Sequence, residues 1–134
     1  MTRSLNRIID ANFNRTKEGL RVCEDIARFI WDDAVLATQL KACRHQLTPA
    51  LIDLGFKKIV SSRDIEGDVG RSTLPSEKKR ANIADIFFAN SQRVKESLRV
   101  LEELAKLSSP KISQTFKSIR YKLYALEIKA LKRR

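Results

Sequence analysis

Residues 8–29, IIDANFNRTKEGLRVCEDIARF, and residues 86–107, IFFANSQRVKESLRVLEELAKL, are two copies of one segment. Eleven of the 22 aligned pairs are identical, which is far more than unrelated segments share. A second match follows each copy, because LKACRHQL at 40–47 aligns with FKSIRYKL at 116–123. The chain is therefore a duplicated two-part unit.

Each copy is predicted to be a hairpin of two helices. In the first copy, one helix runs from about Ser4, a candidate N-cap, to Ile30. Asp32 is predicted to cap a second helix that ends near Gly55, a residue suited to a left-handed C-terminal position. Pro49 falls inside this helix and is expected to kink it.

The second copy repeats this arrangement. Its first helix is predicted to start near Ser76 and end near Leu107, and Ser109 caps the last helix with Pro110 at its first position. The sequence thus predicts an all-α helical bundle of two duplicated antiparallel hairpins joined by a long irregular crossover loop. The expected divisions are a single domain 1–134, repeats 4–55 and 76–132, and a linking loop 56–75.

Composition narrows the class of protein. Apolar residues make up 43% of the chain and charged residues 32%, which is typical of a folded helical domain. No run approaches the roughly 20 apolar residues that span a bilayer, no signal peptide is evident, and two cysteines are too few for a disulfide framework. We therefore expect a cytoplasmic protein without a membrane partner.

The net charge of +11 is concentrated in the last helix. Residues 110–134 contain eight basic residues and one acid, Glu127. A basic helical nucleic-acid-binding protein is therefore one alternative. Nucleic acid is nevertheless the disfavoured partner, because aromatic residues are few and no recognised binding motif is present.

A polar constellation recurs on the repeated helix. Asn12 lies in the middle of the apolar face, Arg15 lies at its edge, Glu18 lies one step further out, and Glu24 is expected to face solvent. The first three positions recur in the second copy as Asn90, Arg93 and Glu96. Because a buried unpaired amide costs about 1–3 kcal/mol, an asparagine kept twice at this position needs an explanation.

Two interpretations of the constellation stay open. In one, Asn12 and Asn90 hydrogen-bond to each other across the repeat, and each arginine pairs with the glutamate three residues later. In the other, the amides contact a heteroaromatic ring and the arginines clamp phosphate, joined by Arg44 and Arg120 of the second helices. The two interpretations are compatible.

The linking segment is the second candidate site. Residues 61–77 read SSRDIEGDVGRSTLPSE, in which three acids alternate with glycines and arginines. Glycines let backbone N–H groups approach phosphate, and carboxylates such as Asp64 and Asp68 can hold Mg²⁺ against a nucleotide. A surface loop rich in turn-forming residues has the same composition, and the Walker A pattern is missing.

Several of these motifs together resemble a known family. The segments at 8–29 and 40–47, with SSRDIEGDVG, PSEKKR, ANSQRVKESLRVLEE and IRYKLYALE, resemble the small helical domain often fused ahead of thiamine-phosphate synthase. The resemblance is to the monofunctional hydroxymethylpyrimidine-phosphate kinases, and the chain is similar to their stand-alone form or to an excised domain. It implies transfer of the ATP γ-phosphoryl group to hydroxymethylpyrimidine phosphate in thiamin biosynthesis, with ATP as co-substrate and Mg²⁺ as cofactor.

The resulting hypothesis gives each candidate residue a role. Asp64 and Asp68 would hold Mg²⁺, Gly67 and Gly70 would donate backbone hydrogen bonds to phosphate, and Glu18 or Glu96 would assist. Phosphate would be neutralised by Arg63, Arg15 and Arg93, and Asn12 and Asn90 would orient the aminopyrimidine.

The alternative is a non-catalytic module that binds a pyrimidine phosphate or docks onto thiamine-phosphate synthase. A homodimer is also expected, through exposed Ile83, Phe87 or Trp31.

Overall fold

Four α-helices form the fold in the computed structural model, which describes residues 2–72 and 79–133. They are α1 (Arg3–Asp25), α2 (Ala34–Ser61), α3 (Ile83–Ala105) and α4 (Pro110–Leu131). A π-helical turn at Ile26–Ile30 extends α1. The all-α prediction is confirmed.

The helices pack as a four-helix bundle. Helix α1 contacts both α2 and α3, and α4 contacts both α3 and α2, so that each helix has two main neighbours. Leucines from all four helices are fully buried in one core: Leu20, Leu40, Leu98 and Leu123. Each such side chain contributes about 1.5–3 kcal/mol through removal of apolar surface from water. Among the described residues, no helix combines the length and apolar character needed to cross a membrane.

The helix starts of the first copy differ by one or two residues from the prediction. Thr2 caps α1 by accepting a hydrogen bond from the Leu5 N–H group, and Ser4 already lies inside the helix. Asp33, and not Asp32, caps α2. Asp32 has a left-handed backbone with φ of 49°, which is incompatible with the extended conformation that a cap residue needs.

Helix α2 continues beyond its predicted end. Gly55 has a φ of 107°, in agreement with the left-handed conformation expected there, and it is the non-helical residue inside α2. The chain then resumes helical hydrogen bonding as far as Ser61, because Ile59 is fully buried against the core. Residues 56–61, predicted as loop, are therefore helical. Pro49 lies inside α2 as predicted.

The first helix of the second copy starts later than predicted, at Ile83, and ends earlier, at Ala105. Ser76 lies outside the described residues, and α3 begins at Ile83 after the cap residue Asn82, whose side chain accepts from the Asp85 N–H group. The prediction that Ser109 caps the last helix, with Pro110 at its first turn, is confirmed.

Phe87 is not a surface residue. It is fully buried, and its ring centroid lies 5.0 Å from that of Trp31. The expectation that Phe87 is exposed for pairing is wrong, because this position belongs to the core-facing stripe of α3. The homodimer itself stays a prediction.

Candidate functional site

The site is organised by the crossing of α1 and α3. The Oγ1 atom of Thr16 lies 2.6 Å from the Oγ atom of Ser97, and a Cβ atom on Gly19 would lie 2.6 Å from Cγ2 of Val94. In the repeat alignment, Thr16 corresponds to Val94 and Gly19 to Ser97. The two contacts therefore exchange when the copies are exchanged, as a local twofold axis requires.

Asn12 and Asn90 flank this crossing in the same conformation. The Nδ2 atom of Asn12 donates to the carbonyl oxygen of Ile8 at 2.9 Å, and that of Asn90 donates to Ile86 at 2.8 Å. Each amide therefore bonds within its own helix, and the predicted hydrogen bond between the two asparagines is wrong. Asn12 is only 5% exposed, and its Oδ1 atom accepts a long bond of 3.4 Å from Arg15.

Arg15 and Arg93 have no carboxylate partner within the described part of the chain. The predicted ion pairs of Arg15 with Glu18 and of Arg93 with Glu96 are therefore wrong. Glu96 instead accepts a bond of 3.4 Å from Gln92. As far as the described residues go, both guanidinium groups remain available to an anion.

Arg63 attaches the linking segment to α1. Its Nε and Nη2 atoms donate to the two carboxylate oxygens of Asp10, each at 2.7 Å. This bidentate contact raises the pKa of the Arg63 guanidinium. The Asp10 carboxylate is buried, so the pair fixes where the segment starts. The residue predicted to neutralise phosphate therefore already has an anionic partner.

Residues 64–70 of the linking segment, which contain the predicted aspartates and glycines, form two tight turns. The N–H group of Gly67 donates to Asp64 at 2.8 Å, and that of Gly70 donates to Asp68 at 2.9 Å. A Cβ atom on Gly67 would displace the Asp64 carboxylate, which accepts the Gly67 N–H bond, so glycine keeps this turn contact in place. The two N–H groups expected to bind ATP phosphates thus donate to carboxylates of the segment itself.

Two adjoining cavities lie beside α1, the smaller between α1 and the linking segment and the larger between α1, α3 and the linking segment. Their volumes are about 570 and 720 Å³, and both are lined by Ala11, Asn12, Arg15 and Asp68. We call their union the loop-covered cleft. It brings together most of the site residues predicted from the sequence, namely Asn12, Arg15, Arg63, Asp64, Asp68, Gly70, Arg93 and Glu96. Asn90 and Glu18 line a separate cavity.

Two charged residues of α1 that line the cleft were missed from the sequence. Arg7 and Asp10 both line it, and Asp10 holds Arg63. The repeat contained a usable signal, because the second copy has Phe88 where the first has Asp10. A carboxylate at a position that is apolar in the other copy indicates a partner found only on that side.

Arg44 and Arg120, predicted to join the phosphate clamp, form ion pairs inside the bundle. Arg44 Nε lies 2.9 Å from Oε1 of Glu24, and Arg120 Nη2 lies 2.9 Å from Oε1 of Glu102. The two arginines are not among the described residues that line the cleft. Glu24, expected to face solvent, is 3% exposed, because α2 packs over that side of α1. Identical acids and arginines in both copies could have revealed these pairs.

Metal binding at the cleft stays a prediction. Among the described residues, no group of three or more histidine, cysteine or acidic side chains could hold a metal ion. Mg²⁺ often takes only one or two protein carboxylates, and Asp64 and Asp68 each have one oxygen outside the turn contacts described above. The donor set is therefore compatible with Mg²⁺ bound mainly by a ligand and water.

These features define a class of protein: a duplicated four-helix domain with an arginine-lined cleft under the segment that links its halves. The model of the ThiD2 family matches residues 7–129, and the chain belongs to the ThiD2 family. The identification as a monofunctional hydroxymethylpyrimidine-phosphate kinase is wrong, because the family that matches is ThiD2 and not that kinase family.

The chain is also similar to part of several larger proteins. It is 40% identical over 125 residues to the thiamine-phosphate synthase of Rhodopirellula baltica, an alignment that covers 92% of this chain and 33% of that protein. It is 43% identical over 126 residues to the thiamine-phosphate synthase of Nostoc punctiforme, covering 90% and 34%. The chain thus spans about a third of the length of these relatives. No solved structure is significantly similar to it.

Proposed function

We propose that this domain binds a pyrimidine phosphate and serves thiamine-phosphate synthase in thiamin biosynthesis as a binding or docking module. One observation carries the proposal. Arg15 and Arg93, which have no carboxylate partner in the described ranges, line the same cavity as the buried amide of Asn12. The similarity to proteins named thiamine-phosphate synthase supports the pathway.

The chemistry of these groups fits such a ligand. A guanidinium group binds phosphate oxygens through two parallel N–H bonds, and two guanidinium groups balance a phosphate dianion. The amide of Asn12 keeps one N–H group and part of its Oδ1 acceptor capacity, which suits the ring nitrogen and amino group of an aminopyrimidine. A cavity of about 720 Å³ is within the usual range for small-molecule sites.

Phosphoryl transfer from ATP is the competing function at the same cleft. It depends on a metal ion and on cationic groups placed around the transferred phosphoryl. Asp64 and Asp68 line the cleft and favour it, but each also accepts a backbone N–H bond in its own turn. Arg63 is committed to Asp10. These contacts support binding more directly than they support transfer.

The basic last helix supports nucleic-acid binding less well than its charge suggested. Arg120 of α4 forms an ion pair with Glu102. The Nη2 atom of Arg133, just after α4, lies 3.0 Å from Oδ2 of Asp33. Part of the positive charge of this helix is therefore used within the bundle.

Calorimetric titration with hydroxymethylpyrimidine phosphate tests the proposal. We expect saturable binding that weakens about tenfold or more in Arg15→Gln and in Arg93→Gln, because each variant removes one charge-assisted contact. Arg21→Gln is the matched control, because Arg21 is an exposed arginine of α1 that pairs with Asp25 and is not part of the cleft. Absence of saturable binding, or equal losses in all three variants, would overturn the proposal.

Two further measurements separate the alternatives. Formation of ADP with Mg²⁺, ATP and hydroxymethylpyrimidine phosphate, lost in Asp64→Asn, would replace binding alone with phosphoryl transfer. Nucleic-acid binding would instead be favoured by an affinity for arbitrary duplex DNA that falls steeply with salt and is unchanged in Arg15→Gln.

A further inference from the structure

A third cavity lies on the other side of the crossing of α1 and α3. Its volume is about 360 Å³. It is lined by Ala89, Asn90 and Arg93 of α3 and by Glu18, Gly19 and Val22 of α1. Arg93 and Glu96 line both this cavity and the loop-covered cleft, so the two spaces share one wall.

The third cavity repeats the cleft with the copies exchanged. In the repeat alignment, Ala89, Asn90 and Arg93 correspond to Ala11, Asn12 and Arg15. Likewise, Glu18, Gly19 and Val22 correspond to Glu96, Ser97 and Val100. All six of these counterparts line the larger cavity of the loop-covered cleft. Duplication has therefore produced two cavities from the same six positions.

We propose that the third cavity is a second binding site for a heteroaromatic phosphate ester of the same class. The proposal rests on the proposed function of the cleft. Asn90 is held by the same bond to the carbonyl four residues earlier as Asn12, so it presents its amide in the same way. Arg93 supplies a guanidinium group without a carboxylate partner in the described ranges.

The second site binds more weakly than the first. In the larger cavity of the cleft, Arg15 and Arg93 both lack a carboxylate partner in the described ranges. The third cavity shares Arg93 with the cleft, and its other arginine, Arg80, already donates to the carbonyl oxygen of Lys79.

Each of the two cavities is lined by two carboxylates, Asp68 and Glu96 in the larger cavity of the cleft and Glu18 and Glu96 in the third cavity, so these groups do not distinguish them. The difference lies in Arg93, which a ligand in the cleft already engages. Loss of one charge-assisted phosphate contact corresponds to an affinity lower by about tenfold or more.

Equilibrium dialysis with labelled hydroxymethylpyrimidine phosphate measures the number of sites on the intact chain. We expect two sites in the wild type that differ at least about tenfold in affinity. Asn90→Ala removes the weaker site and leaves the tighter one, and the matched variant Asn12→Ala does the reverse. Thermal unfolding of each variant shows whether it is folded.

A second measurement on the wild type does not depend on any variant. The side-chain amide signal of Asn90 is followed by NMR during the same titration, and it should shift in the weaker phase, after that of Asn12 has shifted. One site only, lost in Asn12→Ala and with the Asn90 signal unmoved, overturns the second site while the proposed function stands. Absence of any binding overturns both.

Discussion

The hydroxyl oxygens of Thr16 and Ser97 lie 2.6 Å apart where α1 crosses α3, and both residues are buried. The bond is short because the adjacent contact, between Gly19 and Val94, brings the two backbones close together. Ser97 lines the larger cavity of the cleft and Gly19 lines the third cavity, so this crossing borders both spaces.

Gly19→Ala should destabilise the fold. A Cβ atom there would lie 2.6 Å from Val94 Cγ2 and 3.1 Å from the carbonyl oxygen of Asn90, so the helices must separate. Overpacking typically costs about 1–3 kcal/mol, partly offset by the better helix propensity of alanine. We expect a net loss of about 1–2 kcal/mol in denaturant unfolding. The double variant with Val94→Ala should remove the clash with Cγ2 but not the 3.1 Å contact with the Asn90 carbonyl oxygen, so it should recover only part of the loss. An unchanged single variant would contradict the close approach.

The pairs Glu24–Arg44 and Glu102–Arg120 should each stabilise the bundle. Glu24→Ala leaves the Arg44 guanidinium, which is 14% exposed, without its partner, and we expect a loss of about 2–4 kcal/mol. Replacing both residues by leucine should cost less than the single change. The control is Asp25→Ala, which breaks an exposed pair of 3.4 Å and should cost about 1 kcal/mol or less. Equal losses for Glu24→Ala and the control would show that the inner pair is not buried in solution.

Arg44→Leu should leave pyrimidine phosphate binding unchanged while it lowers stability. Its guanidinium is bonded to Glu24 and is not part of the cleft lining. The affinity is measured by the same titration as for Arg15→Gln. A tenfold loss with Arg44→Leu in a folded sample would restore the earlier assignment of this arginine to the phosphate clamp.

Asp10→Ala should release the linking segment from α1. The bidentate contact with Arg63 joins residues far apart in sequence, and without it residues 62–72 lose their anchor next to the cleft. Hydrogen exchange of these amides should accelerate, while that of the α3 core stays slow. Arg71→Ala is the control, because its pair with Glu66 is exposed and 3.7 Å long. Unchanged exchange in Asp10→Ala would show that the segment is held elsewhere.

The cap residue Asp33 should make stability depend on acid pH. The N–H group of Leu36 and then Arg133 lower the pKa of Asp33 below its usual value of about 4. Its contribution is therefore complete above the unfolded pKa and is lost as the pH falls through the folded pKa. Asp33→Asn keeps the cap but not the charge, so the stability difference between it and the wild type should be present at pH 7 and shrink towards pH 3. A difference independent of pH would contradict the charge effect.

Cys23 should be unreactive in the native state. Burial raises the pKa of its thiol to about 12, so the thiolate that reacts with iodoacetamide is scarce near pH 8. Labelling should be slow in buffer and rapid in denaturant, as measured by mass spectrometry. Stoichiometric labelling of the folded protein within minutes would contradict the burial of this side chain.

The fold could be predicted in most of its parts because its signals are local. The helical periodicity and the Ser109–Pro110 helix start are properties of neighbouring residues, and the structure confirms the four helices and this start. The ends of the helices were predicted less accurately than the helices themselves. A single buried side chain, Ile59, extends α2 beyond Gly55, and nothing adjacent in the sequence indicates that burial.

The sequence predicted several residues of the candidate site correctly, but it did not predict which groups these residues contact. Asn12, Arg15 and Arg93 were selected because a polar group on an apolar face needs a reason, and they do line the cleft. Their partners were predicted incorrectly, since periodicity tells which face a residue occupies and not which element covers that face. Glu24 is the clearest case, because it changes from a solvent residue to a buried one when α2 packs over it.

By itself, the sequence determined that two copies of a helical hairpin form one helical bundle, because helix periodicity and capping depend on residues a few positions apart. The tertiary structure alone decided that Asp10 binds Arg63 and that the duplicated positions form two separate cavities. Those outcomes depend on distances between groups remote in the chain, which only the packing of α1 against α3 and the linking segment fixes.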